Sequence, residues 1–590
     1  MKNILNYIII LKISMTNKEI SAIFERIADV LELKEENIFR IRAYRTAAQN
    51  ISGLARQLSD VYNEDPSLLD NIPGIGKDLK EKIIEMVTTG KLRYHGDLMK
   101  EFPKGFVEML DLEGLGPKKL KKLKKELKIR NVDDLQKACE KGRLEDLEGM
   151  GAKTQEKLLA SIKHYRRREG RMLLPEADRI ADEVIDYLSK EKTFKRIEKA
   201  GSLRRGKETI GDLDILTVAS DAEKAMDHFT SYREVAAIIA KGSTKSSVSL
   251  AEGPNVDLRV IDASCFGAAM VYFTGSKEHN VEIRKLAKSK GYKVSEYGVF
   301  KVAGSGKEKF AAGKTEEEVY KKLGMDWIPP ELRESSGELE AAKKGGLPDL
   351  VGSKDIKGDL HMHTSATDGQ NSPEEMMAAV KKKKYRYMAV TEHSQHVRVA
   401  NGMDGKRLLK HAEKLRKLAG KQKKIELLVG VEVDILEEGK LDLPDSVLRE
   451  LDIVIAAVHG RFSLEKKKQT ERILRAMDNE YVNVLAHPSG RLITRRSGIE
   501  VDFDRIFRKA AENNVFLEIN THGERIDLND VNCRRAKELG ARFVISTDAH
   551  SIGGLDQMIY GVVTARRGWL EKKDVLNTYT ISKLRKELKK

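Results

Sequence analysis

The chain has 590 residues, Lys+Arg 108 against Asp+Glu 92, a formal net charge of +16 and a sequence pI near 9.3. Such a length excludes a single small domain and sets an expectation of about three or four domains. The charge favours a polyanionic partner, nucleic acid first, over a merely solvated basic surface. Cys139, Cys265 and Cys533 are too few and too scattered for a disulfide framework or a zinc ribbon, so a reducing compartment is expected and any metal chemistry falls to His and carboxylates.

The opening MKNILNYIIILKIS has an apolar stretch interrupted by Lys12, too short to span a bilayer and without a cleavage signature, so no membrane association is expected. A well-patterned amphipathic helix begins in MTNKEISAIFERIADVLEL, which makes Met15 the expected start and residues 1–14 a start-site artefact or disordered. From there to about Glu169 the apolar spacing is helical, and one pattern recurs: NIPGIGKDLKEKI (71–83), LEGLGPKKLKKL (112–123) and LEGMGAKTQEKLL (147–159). Each places an apolar residue before Gly-x-Gly (Gly74 and Gly76, Gly114 and Gly116, Gly149 and Gly151) and a basic amphipathic helix after it. Glycine permits the tight turn and close backbone approach, and the helix N-terminus offers free N–H groups to an anion. One copy is as well explained by helix capping; three copies in a basic chain favour a grip on nucleic-acid phosphates. The lysine run at 118–128 by itself reads as a solvated face.

From about Leu173 short strands such as DILTV and DLRVI alternate with helices, followed by DWIPPELRESSGELE and the linker-like LPDLVGSKDIKG (347–358). In GDLDILTV, Asp212 and Asp214 stand two apart on a strand, hence on one face, and Asp257 lies on a second strand. Converging carboxylates suit Mg²⁺ held together with substrate phosphates, although an isolated D-x-D more often marks a turn or strand edge. Beyond 358, the strands YMAVTE, IELLVGVEV, DIVIAAVH, VNVLAHP, VFLEIN and FVISTDAH alternate with helices, the pattern of a parallel α/β barrel. His361, His363, Asp368, His393, Glu432, His459, His487, Asp548 and His550 sit at or near strand C-terminal ends, where such a barrel assembles its active site. Imidazole and carboxylate without thiolate suit Mn²⁺, Zn²⁺ or Fe²⁺; nine ligands exceed one ion's needs, so two or three are expected, with Glu432 suited to bridge. Arg491, Arg495 and Arg496 read equally as phosphate contacts or as a solvated loop, and His396, His411 and His522 fall outside the ligand pattern.

GSLRRG before GDLD, then VDLRV and YFTGSKEHN (272–280), resemble family X DNA polymerases, the nucleotidyltransferases related to polymerase beta, in order and spacing across roughly residues 17–325. The resemblance implies that Asp212, Asp214 and Asp257 bind catalytic Mg²⁺ or Mn²⁺, with Asp257 activating the primer 3′-OH. It implies further that Gly201, Ser202 and Arg205 hold the β,γ-phosphates, that Tyr272, Phe273 and Gly275 form the sugar-discriminating turn, and that Asn280 meets the base edge. The N-terminal region resembles the 5′-deoxyribose phosphate lyase domain of the same family, whose Schiff-base lysine aligns with Lys82; Arg40 and Asp78 stand at two altered positions of its basic pocket. The histidine spacing resembles the PHP (polymerase and histidinol phosphatase) domain, with all nine metal-binding positions filled, which implies Mn²⁺- or Zn²⁺-dependent phosphoester hydrolysis.

The expected fold is multidomain: all-α helix-hairpin-helix N-terminal domains, an α+β nucleotidyltransferase palm and thumb, then a distorted α/β (TIM-like) barrel. The expected boundaries are 15–100 (lyase-like), 101–170 (helix-hairpin-helix), 171–263 (palm), 264–335 (nucleotide-selecting thumb or fingers), 336–354 (linker) and 355–590 (PHP). The expected function is a cytoplasmic, nucleoid-associated, monomeric repair polymerase that fills short gaps in gapped or nicked DNA from deoxynucleoside triphosphates. It is joined to a 3′–5′ exonuclease, with incision of abasic sites as a further expectation. Two alternatives stand beside it: a polymerase tethered to a phosphatase of the histidinol phosphate type, and a DNA-binding scaffold with decayed metal sites.

Overall fold

A computed structural model describes residues 15–588 except 16, 53–57, 73, 104, 113–114, 145–146, 148–149, 152–153, 156–157, 160–161, 163–170, 252, 305, 421–424, 463 and 494–497. The N-terminal residues 1–14, and with them the start-site expectation, lie outside the described residues, as do Gly114, Gly149, Arg495 and Arg496. The chain forms two compact units, Met1–Gly170 and Arg171–Lys590.

Among its described residues the first unit is built of helices. In Asn17–Leu33 the residues Ile20, Phe24, Ile27, Ala28 and Leu31 recur at three- and four-residue intervals and are buried, so one stripe of the helix enters the core. Gly76 and Gly116 are the N-caps of Lys77–Thr89 and Pro117–Leu127, each with the extended backbone that leaves the following N–H groups unpaired. Gly74 has φ +78, and a Cβ there would lie 3.1 Å from Thr46 Cγ2 and Asn50 Nδ2, so the first repeat requires its glycine.

The second unit begins with a five-stranded sheet that joins Phe194–Lys199, Asp212–Ala219, Asn255–Val260, Lys245–Leu250 and Val235–Lys241 in that order. Asp212–Ala219 and Asn255–Val260 run parallel at its centre and their alternate residues pack into the palm core. Helices Phe266–Thr274 and Lys277–Ser289 then lead to a three-stranded antiparallel sheet. Residues 336–354, expected as a linker, are in large part packed structure. Glu338 opens the helix Glu338–Lys343, is fully buried, and accepts from His279 Nδ1 at 2.7 Å and from the N–H groups of Ser335 and Ser336. Leu339 and Ala342 join the thumb core. The polar run RESSGELE reads as loop, yet its glutamate satisfies a buried histidine, which composition does not disclose.

The barrel has seven parallel strands in strict sequence order, from Gly358–Asp359 to Phe543–Ser546. Its longer strands are buried on both faces, as expected for a parallel sheet covered by helices. Beyond the two edge strands, Met362 bridges Ala549 in parallel, and Asp548 N donates to His361 O at 3.0 Å, which brings the last strand end beside the first.

Candidate active sites

The barrel residues meet at one end. His393 closes the strand Tyr387–His393, Glu432 lies within Glu426–Asp434, and His459 and His487 follow the next two strands. His487 and Asp548 have φ +27 and +53, turning the chain sharply where their side chains enter. Glu432 is at the centre: its carboxylate oxygens lie 2.8 Å from His393 Nδ1, 3.0 Å from His487 Nε2, 3.2 Å from His459 Nε2, and 3.5 and 3.6 Å from Nε2 of His363 and His361. Three groups have ligand atoms mutually within 4.8 Å: His363, Asp368, His393 and His550; His361, His363 and Asp548; and His393, Glu432 and His459.

These side chains fit divalent ions. His363 Nδ1 and His487 Nδ1 are buried without hydrogen-bond partners, which costs free energy unless another ligand satisfies them, and the Glu432 and Asp548 carboxylates are crowded by imidazoles. Burial opposes ionisation of Glu432, but the surrounding His459, His393 and His361 outweigh it and hold the carboxyl well below its usual range. The same attraction, against the burial of each ring, lifts His393 to about 10 and His459 to about 9. A metal ligand must be neutral imidazole, so ions displace protons here.

A second layer, not singled out in the sequence, orients the ligands. Glu518 accepts from His361 Nδ1 at 2.7 Å and from His487 N at 2.8 Å; Asp434 lies 3.2 Å from His459 Nδ1; Asn520 Nδ2 donates to Asp548 Oδ2 at 3.1 Å. The period-two logic that places Glu432 inward also places Asp434 inward, and Glu518 and Asn520 end the sixth strand in the same way, so the signal was present. His396 Nε2 is 3.5 Å from Asp434 and His411 Nε2 is 3.5 Å from Glu392, both outside the nine. Arg491 donates to Glu208 at 3.2 and 2.6 Å and to Arg525 O, so it serves the junction with the palm rather than an open phosphate site.

In the palm, strand register sets Asp214 directly beside Asp257, while Asp212 pairs with Asn255. Burial first, then the charges of Asp212 and Asp257, pushes Asp214 up to about 7, which a bound cation would reverse. The three carboxylates do not converge to the mutual 4.8 Å of the barrel groups, and Lys245 Nζ sits 3.1 Å from Asp257 Oδ2. Gly201, φ +59, turns so close beneath Asp214 that a Cβ would lie 2.2 Å from its Oδ2. The turn Gly201–Arg204, with Ser202 in it, is thereby fixed against Asp214. Arg205 follows; its Nε donates to Glu334 Oε1 at 3.0 Å and its Nη1 to Thr274 O. Tyr272 and Phe273 end the helix Phe266–Thr274, Gly275 caps it with φ +71, and Asn280 Nδ2 donates to Tyr272 O at 2.6 Å.

With both geometries described, relatives can be compared. Family models match residues 269–334 (DNA polymerase beta thumb), 15–92 (helix-hairpin-helix domain), 106–164 (SAM-like helix-hairpin-helix tandem) and 359–522 (PHP domain). The "DNA polymerase/3'-5' exonuclease PolX" of Bacillus subtilis is 38% identical over 578 residues, 98% of this chain and 100% of that protein. The chain belongs to the PolX family. Shorter relatives match as well: a "Probable phosphatase" of Thermoanaerobacter sp. is 29% identical over 242 residues, 39% of this chain and 94% of that protein. Another, of Acetivibrio thermocellus, is 29% identical over 213 residues, 34% of this chain and 83% of that protein. Asp548 and His550 lie beyond the matched PHP span, and only the fold brings them to the other ligands. The polymerase and PHP families are metal-dependent. In the helical unit of this PolX chain, Lys82 donates to Asp78 and lies 5.3 Å from the Tyr94 ring centre, while Arg40 Nη2 donates to the Tyr94 hydroxyl at 2.9 Å. No helix among the described residues is long and apolar enough to cross a membrane.

Proposed function

We propose that this chain is a DNA repair polymerase that adds deoxynucleotides to primer 3′ ends at short gaps, joined to a 3′–5′ exonuclease in its barrel. The observation that supports this reading is that one compact unit carries both the palm aspartates on adjacent strands and the nine barrel side chains gathered about Glu432. In the palm, Mg²⁺ or Mn²⁺ would be held by Asp212, Asp214 and Asp257; in the barrel, two or three Mn²⁺ or Zn²⁺ ions would be held by the nine, with Glu432 among them. Such ions supply positive charge to phosphoryl oxygens.

The chain's own groups do the rest. The Gly201 turn and Arg205 hold the triphosphate beside Asp214, and Asp257 takes the proton of the primer 3′-OH. Asn280 tethers Tyr272 at 2.6 Å, which supports this helix end as the sugar-selecting turn. In the barrel, Glu518 and Asp434 fix the His361 and His459 rings through their Nδ1 atoms, leaving Nε2 for the ion. The glycine-capped helices of the first unit hold DNA phosphates without reading sequence. As a lyase nucleophile Lys82 must first leave Asp78, which engages its amine, before it can attack a sugar carbonyl.

Barrel relatives named as phosphatases favour one second reading, a small-molecule phosphatase tethered to the polymerase. Hydrolysis of primer 3′ ends and of histidinol phosphate, measured side by side with Mg²⁺, Mn²⁺ and Zn²⁺ on gapped and abasic DNA, decides between them. Preference for the DNA end is the expected result, and preference for the small ester overturns the nuclease assignment.

A further inference from the structure

We propose that Arg567, a residue of the barrel domain, is a positioning residue for nucleotide addition: it holds Arg205 in place for the incoming triphosphate. This rests on the reading of Arg205 as a phosphate contact. The helix Met558–Arg567 follows the loop that carries Asp548 and His550 and ends against the palm. There Arg567 Nη1 donates to the carbonyl of Arg205 at 2.6 Å and to Glu334 Oε1 at 3.1 Å, while its Nε and Nη2 donate to Asp530 Oδ2 at 2.9 and 2.6 Å. Glu334 Oε1 also accepts from Arg205 Nε at 3.0 Å, and its other oxygen is 3.5 Å from Lys207 Nζ. One carboxylate thus lies between two guanidinium groups, one from each domain.

The contact is close. At Gly206, φ +64, a Cβ would stand 2.0 Å from Val563 Cγ1, so the turn after Arg205 is pressed against the same helix. Next to Arg567, Arg566 Nε donates to Glu331 Oε1 at 2.7 Å, so neighbouring arginines hold the palm turn and the segment that bears Glu334. The side chain of Arg567 is 4% exposed, which gives its charge few partners beyond these.

Two effects follow for Arg205. Its backbone carbonyl and its guanidinium are both fixed before substrate arrives, so little ordering is left to be done on binding. Glu334 also divides its charge between two arginines. Without Arg567 it would bear more strongly on Arg205, with only Lys207 beside it, and compete with the triphosphate for that guanidinium. Removing Arg567 therefore weakens nucleotide binding rather than the chemical step.

The test is steady-state gap filling by the full-length protein, with a double-mutant cycle. Arg567→Ala is expected to raise KM for the deoxynucleotide about tenfold, with kcat changed by less than about twofold and hydrolysis of primer 3′ ends unchanged. In an Arg205→Ala background, which itself raises KM, Arg567→Ala is expected to add less than about twofold, because its effect passes through Arg205. An unchanged KM in Arg567→Ala, equal losses in both backgrounds, or parallel loss of polymerase and nuclease activity overturns the inference alone. An unchanged KM in Arg205→Ala overturns the phosphate reading, and the inference with it. Arg567→Lys keeps a charge near Asp530 without the fork that reaches both Arg205 O and Glu334. It is expected to melt at the parent temperature yet show a raised KM, which a merely structural tie would not produce.

Discussion

In the barrel, nine ligand side chains arrive from six strand ends, six of them buried, and Glu432 has five imidazoles within 3.6 Å. In the palm, three aspartates stand on two neighbouring strands, Asp212 is exposed, and Asp257 is occupied by Lys245. The first fits resident ions: its cost in desolvation is already incurred by the fold. The second is half of a site, which nucleotide phosphates complete by supplying the remaining oxygens. One chain thus carries a preassembled hydrolytic centre and a polymerising centre assembled with its substrate.

The largest expected effects separate the two regions outright. Asp257→Ala should lower nucleotide addition by about a thousandfold or more, on the order of 4 kcal/mol of transition-state stabilisation, and leave the nuclease unchanged. His361→Ala should do the converse, and primer-extension and 3′-degradation assays on the same preparations would expose any dependence of one site on the other. Metal retention sharpens the contrast. After exhaustive dialysis without chelator, elemental analysis should find two or three ions per chain in the parent and in Asp212→Asn, and about one or none in Glu432→Ala; ions lost from the parent at the same rate as from Glu432→Ala would remove the distinction between resident and substrate-borne metal. Glu518→Gln should lower barrel metal affinity by about 10- to 100-fold without affecting gap filling, read by chelator titration.

The palm should also respond to pH near neutrality. Asp214 is held up at about 7, so below that pH the ion-free carboxyl is protonated and a cation must displace the proton; above it the site is ready. The Mg²⁺ concentration that half-saturates gap filling should fall as pH rises from about 6 to 8, by at most about tenfold per unit. A flat profile would mean that Asp214 is already ionised. The smallest effect belongs to the first unit: Gly74→Ala forces a side chain into a φ of +78 against Thr46 and Asn50. It should cost the turn about 1 kcal/mol and weaken DNA binding several-fold, with nucleotide kcat unchanged.

Much of this was legible without coordinates. The barrel candidates lie at or near the ends of apolar strands, so position alone nominated that cluster, whereas Asp212 and Asp214, two apart on a strand, were singled out by the resemblance of their flanking motifs. Glu518 and Asn520 repeat the inward period of the other strands, yet what each meets is not local: the imidazole that Glu518 orients is 157 residues away in sequence. Glu338 was masked in the same way, since the polar run around it is as natural in a loop as beneath a buried histidine.

By itself the sequence determined the element types, the helical repeats, the alternation that makes a parallel barrel, and the ligand inventory, because each depends on spacing along the chain. Only the tertiary structure decided which partners those residues have. It set Asp257 beside Asp214, gathered five histidines on Glu432, gave Arg491 to Glu208 instead of to phosphate, and pressed Arg567 against the Arg205 turn. These are contacts between residues far apart in sequence. They depend on strand register and on how one domain lies against another, and no local pattern of amino acids encodes either.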